Sequence, residues 1–456
     1  MARLPLQIRG MAWYSPRMFI TPARLLILAV PLAVASLAAQ ADQSAKADQY
    51  WPQWRGPHAT GVSKAAKPPL EWSDTKNIRW KVEIPGRGSG SPIVWGDRLY
   101  VLTAVPVGVT GESAHAPRGS QPVPHKFLVI AIDRRTGKTV WEQTAREEAP
   151  HEAAHADNGT WASSSAVTDG QHVIASFESR GIYAYDMDGK PAWQKDLGDK
   201  RMRNQFGEGT TPALHGNRLV VVWDHQGESF IVALDKRTGE ELWRQKREEI
   251  DTWATPLIVQ VDGRPQVVTS GMNRVRSYDL ETGEVVWHAP GLTMNPIPSP
   301  IAEGGIVYLT SGFRGNNLKA IRLAGARGDL TGTDAILWTL DRDTPYVPSP
   351  LLYGEILYLL KTNTGVLSAY DAKTGKPHFQ LQRLQQAREV FASPVGAAGR
   401  VYIPSREGVT VVIRNGPAFE VLAENSLSDG FDASPALAGS EIYLRGYKYL
   451  YCISED

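Results

Sequence analysis

Residues 234–243 read LDKRTGEELW, and the chain repeats the phrase: IDRRTGKTVW at 132–141, YDLETGEVVW at 278–287, YDAKTGKPHF at 370–379. Each places an Asp eight residues ahead of an aromatic. Asp accepts backbone N–H bonds in turn geometry, Thr supports the same turn through its hydroxyl, and Gly supplies the positive φ of a tight hairpin. Short apolar runs flank the phrase, as strands do. The phrase therefore predicts a strand, a Thr-Gly turn and a second strand that carries Trp.

A second phrase accompanies the first. A Ser-Pro, Thr-Pro or near match opens each unit, at Ser91, Ser165, Thr211, Thr255, Ser299, Ser349, Ser393 and Ser434, followed by an apolar run, a Gly turn and a β-branched and aromatic run. Each unit thus holds strands A to D, and four strands in about 40 to 50 residues at a fixed period predict propeller blades. The eight openings predict an all-β, eight-bladed β-propeller of four-stranded antiparallel blades. The last unit stops after strand C, while NIRWKVEIPG at 77–86 is a D-type strand with no blade before it. Pairing the two closes the ring by an N-terminal strand and removes a free edge. Trp80, Trp141, Trp193, Trp243, Trp287 and Trp338 fall on outer strands, where a large flat side chain can cover the next blade.

With 49 Lys and Arg against 48 Asp and Glu, the 456 residues carry a net charge of +1, which gives no field to draw in nucleic acid or an anionic membrane. Residues 1–41 read as a cleaved signal peptide: arginines, the run LLILAVPLAVASLA, and small residues at Ala39 and Ala41. The run is short for a bilayer span and contains Pro31, and no later segment is long enough to cross one. A lead segment, 42–77, precedes the propeller at 78–456. The mature protein is expected to be exported, periplasmic in a bacterium, and monomeric, with an unknown periplasmic protein or small molecule as partner.

The pattern A-x-D-x-x-T-G-K-x-x-W, here Ala131 to Trp141, resembles the tryptophan-docking motif of pyrroloquinoline-quinone (PQQ) repeat propellers, over about residues 78 to 456. That superfamily includes quinoprotein alcohol dehydrogenases and the outer-membrane assembly lipoprotein of the β-barrel machinery. WPQWRGPHATGVS, ASSSAVTDG, TPYVPSPLLYG and DGFDASPAL further resemble a group of exported bacterial PQQ-like repeat proteins. The resemblance implies the fold. The dehydrogenases also carry a vicinal cysteine disulfide, Ca²⁺ and a catalytic Asp. With Cys452 as the sole cysteine the disulfide cannot form, and the spacing of Asp224, Asp251 and Asp432 singles out no calcium cage. No cofactor is expected, PQQ with Ca²⁺ being the alternative.

Any function must then come from loops that do not repeat. D-to-A and B-to-C connections share one face of the ring, and loops that vary on one face of a repeat array are where binding is usually placed. Just ahead of strand A stand Trp161, Phe206, Trp253, Tyr346, Phe391 and Phe431, readable as a stacking platform or as inter-blade packing. B-to-C loops add Arg314, Asn363, Arg406 and Arg445, readable as an anion site or as solvated loop charge. HEAAH, residues 151–155, matches the zinc-peptidase pattern through His151, Glu152 and His155. It has no evident third ligand beyond His115 or His125, so a hydrolase ranks behind a non-catalytic binding or scaffolding module and an atypical quinoprotein oxidoreductase.

Overall fold

The computed structural model describes residues 49–108 and 122–455. The predicted signal segment and His115 lie outside the described residues. Eight antiparallel sheets follow one another along the chain, each with its strands in the order A, B, C, D. Neighbouring A strands touch around the axis, so A is innermost and D outermost. Blade 3 is representative: Ala213–His215, Arg218–Trp223, Phe230–Asp235 and Glu241–Lys246. Closure is as expected, with Ile78–Glu83 pairing antiparallel to Tyr449–Ile453 and Trp80 opposite Cys452.

The repeated phrase folds into a joint between blades. Within it, Asp235 Oδ1 accepts the Arg237 N–H at 2.8 Å, and the Gly239 N–H bonds Asp235 O at 2.8 Å. Register shifts between Ala233 and Leu234, a bulge that re-aims Trp243. Its indole Nε1 donates to Leu280 O of blade 4 at 2.9 Å. Gly283, at φ 76°, lies so close beneath the ring that a Cβ there would meet it at 2.6 Å. The glycine therefore serves both the turn and the seam. Gly239 receives Trp193 in the same way, at 2.6 Å.

Two departures from the phrase are repaired from elsewhere in the chain, one by an insertion and one by the lead segment. The insertion in blade 5 adds Gly328–Asp329 as a fifth strand parallel to blade 4, opposite Trp287 and His288. It leaves Trp287 fully buried, with no acceptor for its Nε1 among the described residues. Blade 7 has no Trp on strand D, and Trp72 of the lead segment fills that place, stacked on Tyr402 of strand B at 6.2 Å. The Trp72 N–H donates to Asn425 Oδ1 at 2.9 Å.

The rest of the lead enters the channel. Trp51 exchanges two backbone bonds with Val94 of blade 1, at 3.0 and 2.8 Å, and Val62–Ser63 pairs in parallel with Val395–Ala397 of blade 7. Between them Arg55 is fully enclosed and donates to Pro394 O at 2.7 Å, Thr60 O at 3.1 Å and Pro350 O. Carbonyls replace a carboxylate as its partners, and burial still lowers its pKa to about 9.

Ser and Thr open the units for a reason visible only around the axis. The Ser91 N–H donates to Ser165 Oγ at 2.9 Å, Ser165 to Thr211 at 3.0 Å, Thr211 to Thr255 at 3.2 Å and Thr255 to Ser299 at 2.8 Å. The series continues from Ser299 to Ser349 at 3.0 Å, Ser349 to Ser393 at 2.9 Å and Ser393 to Ser434 at 2.9 Å. Each blade thus satisfies the first donor of the one before. The eighth link, Ser434 to Ser91, is not made, and Ser91 Oγ is buried without a partner among the described residues.

Candidate functional site

Above this hydroxyl ring, on the D-to-A face, the connections enclose a cup of about 270 Å³. Trp161, Phe206, Trp253, Tyr346 and Phe391 wall it, joined by Ser89, His155, Asn158, Thr160, Ser163, Glu208, Asn363 and Asp432. A second chamber of about 140 Å³ shares Ser89, Trp253, Phe391 and Asp432 with that wall and reaches down to the hydroxyl ring and Trp54. The lead segment is thus the floor of the channel.

The walls are held rigidly. Trp253 Nε1 donates to Gly207 O at 2.8 Å and Trp161 Nε1 to Glu152 O at 3.2 Å, so each indole spends its one donor on the backbone. Trp161 sits at φ 51°, in the left-handed region, which costs a bulky residue on the order of 1–3 kcal/mol. His125 packs on it at 4.7 Å between ring centroids. Tyr346 stacks on Phe313 at 4.8 Å, and Asn363 accepts the Val347 N–H at 3.0 Å. The Arg406 guanidinium lies 3.5 Å from the Phe391 ring centre and grips Asp432 through two bonds, at 2.7 and 2.9 Å.

Buried ion pairs fix the layer behind the cup. Arg180 holds Glu208 at 2.7 Å and Lys200 holds Glu178 at 2.8 Å, all four nearly sealed from water. Burial works against the Glu208 carboxylate, but Arg180 and Lys200 outweigh it and keep its pKa low. Arg203 clamps Asp251 at 3.0 Å. Arg247 grips Asp224 at 2.7 and 2.9 Å, with Thr269 and Tyr278 completing its shell at 2.8 Å.

Not every predicted site residue reaches the cup. Phe431 is fully buried in the blade 8 core, edge-on to Tyr451 at 6.1 Å, so the side chain expected at the mouth is a packing residue. Arg314 is on the exposed rim, beside Phe313. Arg445 is buried rather than solvated. Residues 151–155 form no helix, the geometry the zinc-peptidase pattern relies on, and His151 and Glu152 meet the 200–202 segment while His155 is bonded to its own loop. His151 Nε2 meets Lys200 O at 2.6 Å, Glu152 accepts the Met202 N–H at 3.0 Å, and His155 Nδ1 accepts the Asp157 N–H at 3.2 Å. Among the described residues no group of three His, Cys, Asp or Glu is placed to hold a metal. Glu208, Asn158, Thr160 and the hydroxyl ring were not singled out by sequence as site residues. Only the recurrent Ser and Thr gave a signal, and their partners lie in other blades.

Burial gives the protein a pH dependence. Desolvation lowers the pKa of His125, His215 and His225 below the ordinary value near 6.5, so they stay neutral in the folded chain while the unfolded chain takes up protons. Stability is therefore expected to fall as pH drops from about 7 toward 5, by at most about 1.4 kcal/mol per pH unit for each histidine. It levels off once the folded groups protonate as well. Urea midpoints at several pH values check this, and a midpoint constant over that window would refute it.

Three matches to a family model described as outer membrane protein assembly factor BamB span residues 125–295, 179–334 and 227–456. An outer membrane protein assembly factor BamB from Francisella salina is 28% identical over 176 residues, 34% of this chain and 32% of that protein. A tetrathionate hydrolase from Acidithiobacillus ferrooxidans is 25% identical over 281 residues, 58% of this chain and 53% of the relative. The chain thus spans about a third to a half of these relatives. BamB from Moraxella catarrhalis superposes with a TM-score of 0.57 at 13% identity, covering 82% of this chain and 98% of that one. Quinohemoprotein alcohol dehydrogenase from Comamonas testosteroni gives 0.60 at 12% identity, covering 89% and 80%. At such identities the superpositions show the fold alone. No helix among the described residues is long and apolar enough to cross a membrane. With family-model matches that together reach from residue 125 to the C-terminus, the chain belongs to the PQQ-repeat propeller family described as outer membrane protein assembly factor BamB.

Proposed function

We propose that this protein is a non-catalytic binding module of the periplasm, whose aromatic cup seats one flat or apolar group of a partner protein or small molecule. The observation that carries the reading is the cup: five aromatic walls around about 270 Å³, with both of its carboxylates, Asp432 and Glu208, committed to arginines. Paired carboxylates are poor general acids or bases, and fixed indole faces are good stacking surfaces. Relatives named as assembly factors support a protein partner in the cell envelope.

The wall does not fit PQQ, which carries three carboxylates, because no Lys or Arg lines the cup. Nor does it fit Ca²⁺, since Asp224, Asp251 and Asp432 are each clamped by an arginine. The test uses N-acetyltryptophanamide as an uncharged flat probe, read by calorimetry. Trp253→Ala and Phe391→Ala should each weaken its binding about tenfold, the loss of roughly 1.4 kcal/mol of stacking. Unchanged affinity in both variants, or stoichiometric quinone retained after reconstitution with PQQ and Ca²⁺ and desalting, would overturn the reading.

A further inference from the structure

Where the hydroxyl ring fails to close, between blades 8 and 1, a niche opens beside the cup. It measures about 10 Å³ and is lined by Arg87, Gly88, Ser89, Thr160, Asp432, Ala433, Arg445, Gly446 and Tyr447. That volume admits one water-sized atom. Ser89, Thr160 and Asp432 also belong to the cup wall, so the two spaces adjoin.

The niche is notable for its charge. Arg445 is 3% exposed and has no carboxylate partner among the described residues. Only its Nη1 is bonded, to Leu102 O and, at 3.5 Å, to Gly90 O. Nε and Nη2 have no protein acceptor among the described residues. Arg55, the other fully enclosed guanidinium without a carboxylate, is held by three carbonyls on two nitrogens. Arg87, half-buried on the same niche, makes no side-chain hydrogen bond or ion pair among the described residues. The one carboxylate in the lining, Asp432, is gripped by Arg406 at 2.7 and 2.9 Å; its charge also acts on Arg87, without a hydrogen bond between them, and leaves Arg445 unanswered. A buried cation left without a counter-ion is costly by several kcal/mol, and a guanidinium with two free donors is shaped to receive an anionic oxygen or a halide.

We infer that the niche formed by Arg445 and Arg87 at the blade 8–1 seam is an anion-binding site, sized for one halide or for one oxygen of a carboxylate. The anion comes either from solution or from a ligand whose body lies in the adjoining cup. The inference stands on the niche's own geometry and holds whether or not the cup is filled.

The test uses the full chain at constant ionic strength, with sodium bromide replacing sodium hexafluorophosphate, whose anion is too large for the niche and carries no carboxylate oxygen. Bromide should raise the melting temperature saturably by several degrees, and crystals soaked in it should show an anomalous peak against Arg445 Nη2. In Arg87→Gln, which alters only a half-buried side chain, the bromide concentration for half-saturation should rise about tenfold or more. Benzoate and benzamide then separate the two sources. A benzoate preference of about tenfold, lost in Arg87→Gln and competed by bromide, assigns the niche to a ligand's carboxylate. Bromide binding without that preference assigns it to a free ion. No stabilisation by bromide or benzoate over hexafluorophosphate, or stabilisation equal in wild type and Arg87→Gln, overturns the inference. It would leave the cup reading, tested with an uncharged probe, untouched.

Discussion

Trp243→Ala is expected to lower the unfolding free energy by about 3–5 kcal/mol, the range for removing a large aromatic from a packed site. The indole is 9% exposed, its Nε1 bonds Leu280 O at 2.9 Å, and its ring lies against Gly283. Truncation empties the seam between blades 3 and 4 and strands the Leu280 carbonyl. The seam is at the outer strands, away from the cup, so affinity for N-acetyltryptophanamide should not change. Urea unfolding and calorimetry on one preparation check both halves. A stable variant that had lost probe binding would show that the repeated phrase belongs to the site and not to the joint.

Arg247→Met should cost a comparable amount, about 3–5 kcal/mol, for an electrostatic reason. Both members of the Arg247–Asp224 pair are fully buried. Desolvation alone would push the guanidinium pKa down, yet Asp224 and Tyr278 hold it above its ordinary range. Removing the arginine leaves a carboxylate in the interior with only the Thr252 hydroxyl, at 2.7 Å, as a remaining side-chain donor among the described residues. The double variant Arg247→Met, Asp224→Leu removes the stranded charge together with its partner and should recover a large part of the loss. A double variant no more stable than the single would show that packing, not charge, sets the cost.

The two variants mark a division in how legible this chain is. Trp243 could be placed from sequence because its phrase recurs, and recurrence identifies a turn, a strand and a seam without any tertiary information. Arg247 and Asp224 lie in segments that do not repeat. Their pairing spans strands B to D of one blade, and nothing in their spacing announces it. The cup divides similarly: Trp161, Phe206, Trp253, Tyr346 and Phe391 were legible because each precedes a unit opening, and they converge because the openings converge on the axis. Phe431 obeys the same rule of position and is nevertheless buried inside blade 8, edge-on to Tyr451.

By itself the sequence determined the strands, the turns, the eight-fold count and the closure by residues 78–83, because each follows from local periodicity and from the need to bury an outer edge. Only the tertiary structure decided that the lead segment is the channel floor, that Trp72 replaces a missing blade tryptophan, and that His151 and Glu152 bond the 200–202 segment while His155 bonds Asp157. It alone also shows that the hydroxyl chain breaks between Ser434 and Ser91, next to the niche of Arg87 and Arg445. The physical reason is range. Turn and strand preferences act over a few residues, while charge pairing, ring stacking and the closing of a channel join side chains hundreds of residues apart, whose distance the fold alone sets.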